Sequence, residues 1–330
     1  MFAAINEIIK WVDEISARTQ IVAVAYRVVQ GGPSHLAPEK INLKLIADLE
    51  NYIYLAPNHL PAEIELIRQF RRAYIGIPHI ACFDTYFHQN MPTHAKIYAL
   101  PEKYTAMGLV RYGFHGISYE SIFSQLLEED TDVAAQKIII AHLGSGSSMV
   151  ALSNGISKET TMGISPMGGL VMATRPGDLD PGAILFLLKE GKLKVDELDE
   201  LLSKESGLKA ISGTGNMLEV LQNSRNDAKA NQAIDLYCYQ AKKQIGALAA
   251  AIGGLNMLIF CGGIGENSSK IRKEICTGLD FLGITIDKIN NNNGESIISN
   301  FDAKVTVRVM QTDEETMIAL HAQKITSNTN

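Results

Sequence analysis

Cysteine is scarce in this chain. The four cysteines among 330 residues, Cys82, Cys238, Cys261 and Cys276, form no CxxC pair and no zinc-like spacing. That excludes a disulfide scaffold and a structural zinc site, and it predicts reduced, mostly buried thiols in a cytosolic protein. A long basic block is also missing, and the formal net charge is −6. A nucleic-acid partner is therefore excluded, because phosphate-backbone binding needs a clustered positive face. A local pocket of Arg and His can still hold a small anion on an acidic protein. The N-terminus, MFAAINEIIKWVDEIS, has acids and no basic n-region, so it is not read as a signal peptide. Residues 245–265 carry no charge, but Gly246, Gly253, Gly254, Gly262, Gly263 and Gly265 interrupt them and Asn256 lies between. A buried helix, a turn and a buried strand are predicted there rather than a membrane span.

What is present is core material: 46% hydrophobic and 20% charged residues, in a length that suggests two domains. Ile5, Ile8, Ile9, Val12 and Ile15 follow helical spacing and predict an amphipathic helix over 3–17. The apolar runs 21–29, 79–83, 137–143, 148–152, 256–261 and 304–310 read as strands. Asn154-Gly155 marks a tight hairpin. Helices are predicted over 38–51, 61–73, 226–252, 268–278 and 314–324. The tract Asn290–Asn293 with Gly294 reads as a surface loop. No internal repeat is found, and strands and helices mix without strict alternation, which indicates an α/β fold with a mixed sheet.

The residues that carry chemistry sit at the ends of the apolar runs. GSG at 144–146, in AHLGSGSS, lies between two strands, where glycine amides can point at phosphate oxygens and Ser145, Ser147 and Ser148 can add hydroxyls. An ordinary Gly/Ser turn has the same composition, and no Lys-Ser/Thr follows, so this is not a Walker A loop. GGIGENSS at 262–269 follows a strand and opens a helix, a context that suits either nucleotide approach or a tight turn. Arg175, among Gly and Pro in ATRPGDLDP, and Arg27, ending a strand, are candidate anion clamps or structural ion pairs. His115 in YGFHG, His142 in AHLG and His59 in APNHLP stand beside turns, where each serves equally as a satisfied core histidine. Asp84 follows a strand. Glu314 heads a helix, as a cap or as a Mg²⁺ ligand.

In combination and in order, RVVQGG, APNHLP, CFDTYFHQNMP, YALP, RYGFHGIS, AHLGSGSS, TMGISPMGGLVMATRPGDLDP, KESGL, CGGIGENS and QTDEE make the chain resemble the acetate kinase family. That family is part of the acetate and sugar kinase/Hsp70/actin superfamily, with a ribonuclease H-like fold. The resemblance implies ATP-dependent, reversible phosphorylation of acetate to acetyl phosphate by direct in-line transfer, with Mg²⁺ or Mn²⁺, in a cytoplasmic homodimer. Propionate or butyrate is the alternative substrate. It implies a two-domain fold with mixed sheets around a cleft: residues 1–84 with about 315–330 as an N-terminal domain, and 85–314 as a nucleotide-binding domain.

Carried over by position, Asp84, His115 and Arg175 would be catalytic. Arg27, Val29, Phe114 and Pro166 would bind the substrate. His142, Leu143, Gly144, Ser145 and Gly146, then Asn216, Met217 and Leu218, then Gly262, Gly263, Ile264, Gly265, Glu266 and Asn267 would bind nucleotide, and Glu314 the metal. The family's opening strand and hairpin, with Asn-x-Gly-Ser-Ser-Ser-x-Lys, have no counterpart in this sequence, so an incomplete N-terminal domain is expected. Smaller departures are Ala25-Tyr26, Gln30, the exchange of Asn58 and Leu60 about His59, Ser145, and Asn216-Met217-Leu218. Together they leave a catalytically impaired relative, binding nucleotide or dimerising, as the second reading.

Overall fold

Two β-sheets of unequal size organise the chain, and their alternating side chains explain where each helix packs. The computed structural model describes residues 2–16 and 20–327. The larger sheet has the order β6-β5-β4-β7-β8, formed by β4 (Lys137–Leu143), β5 (Ser147–Ser153), β6 (Ile156–Thr160), β7 (Met257–Cys261) and β8 (Thr306–Val309). β4, β7 and β8 are parallel, while β5 and β6 run antiparallel. Asn154 and Gly155, both with positive φ, close the expected β5–β6 hairpin. On β4, period 2 turns Ile139, Ala141 and Leu143 into the core beneath the long helix Ala228–Ala251. The alternate residues, Ile138 and Ile140, pack on the other face against Tyr119, Ile122 and Leu126 of the helix Gly116–Glu129.

The smaller sheet has the order β1-β3-β2, with β1 (Val24–Val28), β2 (Glu39–Lys40) and β3 (His79–Phe83). β1 is an edge strand parallel to β3. Tyr26 and Val28 face the helices Leu43–Asn51 and Leu60–Ala73. Ala23 and Ala25 face the last helix, Glu314–Ser327, with Ile117 of Gly116–Glu129 in the same cluster. These two helices thus tie the sheets together. All four cysteines are free and buried, and no helix among the described residues is long and apolar enough to cross a membrane.

Two expectations need correction. The stretch 38–51 is not one helix: Glu39 and Lys40 pair with β3, and the helix begins after Asn42, whose side chain accepts from Leu45 N and caps it. The asparagine tract is not a loop. Lys288–Asn293 is a helix capped by Asp287 and ended by Gly294 at φ 70°. Its Asn291 is buried and accepts from the buried Arg272 Nε at 2.8 Å. The polar composition serves an internal hydrogen bond that a one-dimensional pattern does not reveal. The amphipathic helix does form, as Phe2–Ser16, with Ile5 buried but Ile8, Trp11 and Ile15 exposed.

Candidate functional site

In parallel sheets the carboxyl ends of the strands leave backbone groups and loops free for ligands. Five groups of candidate residues lie at such ends. Arg27 and Val29 lie at the end of β1, Asp84 just after β3, His142–Gly146 at the end of β4, Gly262 after β7, and Glu314 shortly after β8.

Asp84 is 1% exposed. Its carboxylate receives Arg27 Nε at 3.0 and 3.1 Å and Nη2 at 2.7 Å, a bidentate pair. Arg27 Nη1 lies 3.1 Å from Glu314 Oε2. Burial pushes the Asp84 carboxyl upward and the guanidinium pulls it back. Glu314 is raised as well, by burial first, with Arg27 opposing and Asp84 reinforcing. Burial works against the Arg27 charge, yet its two acidic neighbours outweigh that and hold its proton more tightly. The bidentate guanidinium thus opposes the burial that favours protonated Asp84.

His115 has φ 58°, a left-handed conformation that costs a non-glycine residue about 1–3 kcal/mol. It stands at the N-cap of the helix Gly116–Glu129. The next amide, Gly116 N, donates to Asp84 O at 2.9 Å, and a methyl group on Gly116 would lie 2.3 Å from that oxygen. Glycine there lets the helix start press against the Asp84 loop. The His115 ring stacks on His142 with centroids 4.3 Å apart, and its Nδ1 is 2.8 Å from Ser148 Oγ. His142 Nδ1 is 2.8 Å from Ser118 Oγ. Burial, then His142, Arg27 and Arg175, depress the His115 proton affinity, so the ring is neutral at physiological pH. Burial and Arg27 push His142 down to about 4.

Arg175 reaches the same place from a loop. A methyl group on Gly146 would lie 2.9 Å from Arg175 Nη2 and 3.2 Å from His115 Nε2, so the hairpin tip, the guanidinium and the imidazole share one spot. Arg175 Nη1 donates to Pro166 O at 2.6 Å, and among the described residues this guanidinium has no carboxylate partner. A cavity of about 340 Å³ opens here, lined by His59, Pro166, Met167, Thr174 and Arg175 among others. His59 is depressed by burial, then by Arg175 and Arg27, which puts it in the field of both cations. Arg27, His115 and Arg175, far apart in sequence, are therefore brought together.

The nucleotide candidates gather around β4. Gly144 N donates to Gly146 O at 3.0 Å and closes the hairpin tip. Ser145 is exposed at that tip, and its carbonyl accepts from Ala173 N at 3.2 Å. Ser147 and Ser148, expected as further donors, are not available. Ser147 Oγ is 3.0 Å from Tyr237 Oη, and Ser148 Oγ bonds His115 and Tyr119. As neighbours on β5 they point to opposite faces of the sheet, and both are buried because Tyr237 of the helix Ala228–Ala251 covers one face and Tyr119 of the helix Gly116–Glu129 the other. Gly262 (φ 76°) packs on Leu143 so closely that a methyl group would lie 2.9 Å from its carbonyl oxygen. It opens the helix Gly262–Asn267, whose Glu266 Oε1 accepts from Gly262 N at 2.8 Å. Within that helix Gly265 is buried, Ile264 packs on the core, and Asn267 Nδ2 donates to Gly263 O at 2.9 Å. Asn216 follows Gly215, which abuts Ala173, but its side chain accepts from Leu218 N at 3.0 Å as a helix cap. Met217 is buried in the core and Leu218 is exposed.

Val29 packs with Phe114, Met162 and Met172 in a small apolar cluster. Gln30, the departure beside it, is buried and its Oε1 accepts from Gly32 N at 2.8 Å, which steadies the turn. One residue escaped the sequence reading. Glu63, on the helix Leu60–Ala73, accepts from Val29 N at 3.2 Å. In sequence it looks like an ordinary first-turn acid, and only tertiary structure separates it from one.

The chain matches the Acetokinase family over residues 2–320. An acetate kinase of Nitrobacter hamburgensis is 41% identical over 304 residues, covering 92% of this chain and 75% of the relative. One of Rickettsia akari is 43% identical over 299 residues, covering 91% and 77%. Among solved structures, a propionate kinase from Francisella tularensis superposes with a TM-score of 0.93 at 35% identity, covering 98% of this chain and 84% of that one. The acetate kinase of Porphyromonas gingivalis gives 0.89 at 36% identity, covering 96% and 84%.

Proposed function

The chain belongs to the acetokinase family, and from that premise we propose that it catalyses transfer of the γ-phosphoryl group of ATP to acetate, and the reverse. The observation that supports this best is Arg175, a half-buried guanidinium without a carboxylate partner among the described residues, at the spot shared with His115 and the Gly144–Gly146 tip. A carboxylate oxygen is already a nucleophile and needs no strong base. It forms a bond to the γ-phosphorus as the bond from that phosphorus to the β,γ-bridging oxygen breaks, and ADP leaves with the electron pair. Catalysis is then alignment and charge neutralisation.

In this reading Arg27 and Arg175 hold the substrate carboxylate and the transferring phosphoryl group. Neutral His115, with Nε2 toward Gly146, serves the equatorial oxygens. Asp84 keeps Arg27 in place. Val29, Phe114 and Pro166 bound the acyl group, and propionate is the alternative substrate, in keeping with the Francisella neighbour. The tip 142–146, Asn216–Leu218 and 262–267 take the nucleotide.

For Mg²⁺ the fit is partial. Among the described residues no cluster of three or more His, Cys, Asp or Glu is poised to hold a metal. Yet Asp84 and Glu314 crowd one guanidinium and both are raised in pKa, so added positive charge would relieve them. Mg²⁺ commonly takes one or two carboxylates, with water and substrate phosphates completing its shell. Glu314 would hold it, and the ion would neutralise the phosphates. We also assign residues 1–84 with about 315–330 to one domain and 85–314 to the other, in a cytoplasmic homodimer.

The test is direct. With ATP, Mg²⁺, acetate and hydroxylamine the chain should form acetyl hydroxamate, and Arg175→Ala should not. No product above that control, with ATP still bound, establishes the second reading, a nucleotide-binding relative without turnover.

A further inference from the structure

Three carboxyl groups surround the one guanidinium of Arg27. Two are its contacts, Asp84 and Glu314. The third is Glu63, which senses both Arg27 and Asp84. Its carboxylate accepts from Val29 N at 3.2 Å, across from the helix Leu60–Ala73 to the end of β1. Val29 in turn packs on Phe114 in the cluster assigned to the acyl group. Glu63 therefore stands behind the wall that a substrate's carboxylate and short chain must meet.

We propose that Glu63 is a positioning residue of the carboxylate subsite, fixing the Val29 backbone and admitting a carboxylate substrate only while its own carboxyl is uncharged. This rests on the acetate-kinase reading of the site. Charge balance carries the argument. Asp84 and Glu314 already compensate Arg27. Arg175 is left for the substrate, and Arg27 is the cation that acts on Glu63, so a third negative charge beside Asp84 and Glu314 would repel an incoming carboxylate. Burial, with Asp84 reinforcing it, raises the Glu63 carboxyl to about 7, against the opposing Val29 N–H and Arg27.

The neighbouring charges are accounted for. Arg27 and Glu314 face each other from β1 and the last helix, and Asp84 projects from the end of β3. His59, the N-cap of that helix, lies one turn before Glu63, and burial first, then Arg175 and Arg27, lower its proton affinity. On the adjoining helices, Glu50 pairs with Arg68, Lys44 with Asp48, and Asp13 with Tyr74.

The experiment measures KM for acetate and for ATP, and kcat, from pH 6 to pH 8 in the wild type, Glu63→Gln and Glu63→Ala. A group titrating near 7 loses about nine-tenths of its protonated form across that range, so the wild-type acetate KM should rise about tenfold while the ATP KM stays flat. Glu63→Gln should abolish the rise and keep the low-pH acetate KM, since the amide oxygen still accepts from Val29 N. Glu63→Ala should abolish the rise but lift the low-pH KM severalfold, because the wall is no longer held. A carbon-13 NMR titration of the Glu63 carboxyl in the folded chain reads the same group without turnover. A wild-type-like pH profile in Glu63→Gln, or an NMR midpoint below 5, overturns the assignment alone. Absence of acetyl hydroxamate from the wild type overturns the acetate-kinase reading, and this assignment with it, whatever the NMR midpoint.

Discussion

Arg27 and Arg175 meet at one site and are opposites in how their charge is met. Arg27 gives three hydrogen bonds to buried Asp84 and a fourth contact to Glu314. Among the described residues Arg175 is given a single carbonyl, Pro166 O, and burial weakens its hold on its proton. A guanidinium stays charged in either setting, so each needs negative charge nearby. For Arg27 the fold supplies it. For Arg175 the substrate must. The contrast separates a residue that the fold depends on from one that the chemistry depends on, although both face the same ligand. Serines repeat the contrast: Ser147 and Ser148 are bonded inside, and Ser145 is left open.

The sharpest way to break the comparison is to remove each cation and measure stability beside activity. Arg27→Met leaves buried Asp84 without its partner. The Arg27 side chain is 41% exposed, so its loss costs less than the about 3–5 kcal/mol of a fully buried pair, on the order of 2 kcal/mol. The urea midpoint should drop by that equivalent, along with turnover, and adding Asp84→Asn should restore much of the stability and none of the turnover. A loss below about 1 kcal/mol would mean that Asp84 is compensated elsewhere.

Arg175→Ala should do the reverse. Removing one preorganised charge donor lowers kcat by about 10²–10³-fold. Stability should hold or rise slightly, because a desolvated cation without a counter-charge is gone. Acetyl hydroxamate assays and thermal melts on the same preparation decide it. A melt that falls as far as that of Arg27→Met would erase the distinction.

The sequence was most legible where chemistry needs a particular residue at a strand end. Arg27, Asp84, His115, His142 and Gly146 could be picked out because glycine turns and lone polar residues interrupt apolar runs. Strands β3, β4 and β7 were legible for the same reason, being short apolar runs bounded by turn signals. Direction was not legible. Nothing in SSMVAL tells that Ser147 and Ser148 are both buried, since that follows from helices covering both faces of the sheet. Asn291 and Glu63 were hidden for a related cause. A polar residue on a helix reads as solvent-facing until a partner from elsewhere, Arg272 or Val29 N, is brought to it. Likewise β2 is only two residues long and draws its definition from β3.

A smaller effect separates the imidazoles from the acids. His142 and His88 are both pushed down to about 4, in each case by burial first. A histidine depressed in the fold and ordinary when unfolded adds stability above pH 6.5, and the fold loses it as pH falls toward 4. Glu63 works oppositely, raised to about 7, so its contribution is full below 4.5 and is lost as pH rises through 7. His142→Asn should flatten the acid limb of the stability curve, by at most about 3 kcal/mol between pH 6.5 and 4, and leave the limb to which Glu63, Asp84 and Glu314 contribute. An unchanged acid limb would show that His142 is solvated in the native state.

The smallest predicted effect tests whether the open hydroxyl at the hairpin tip follows the rule set by the two arginines. Ser145 is exposed, and the hydrogen-bond capacity of its side chain is left to a ligand. A neutral hydrogen bond contributes about 0.5–1.5 kcal/mol net, so Ser145→Ala should raise the KM for ATP between about twofold and tenfold, with the melt unmoved. Ser148→Ala removes a hydroxyl that bridges His115 Nδ1 and Tyr119 Oη in the interior. Leaving those two groups unpaired costs about 1–3 kcal/mol of stability and frees the His115 ring, so kcat should fall more than the ATP KM rises. If Ser145→Ala instead shifts the melt and Ser148→Ala shifts only the ATP KM, then the open and the engaged groups have been assigned the wrong way round, and the reading of Arg175 as the cation awaiting a substrate loses its parallel.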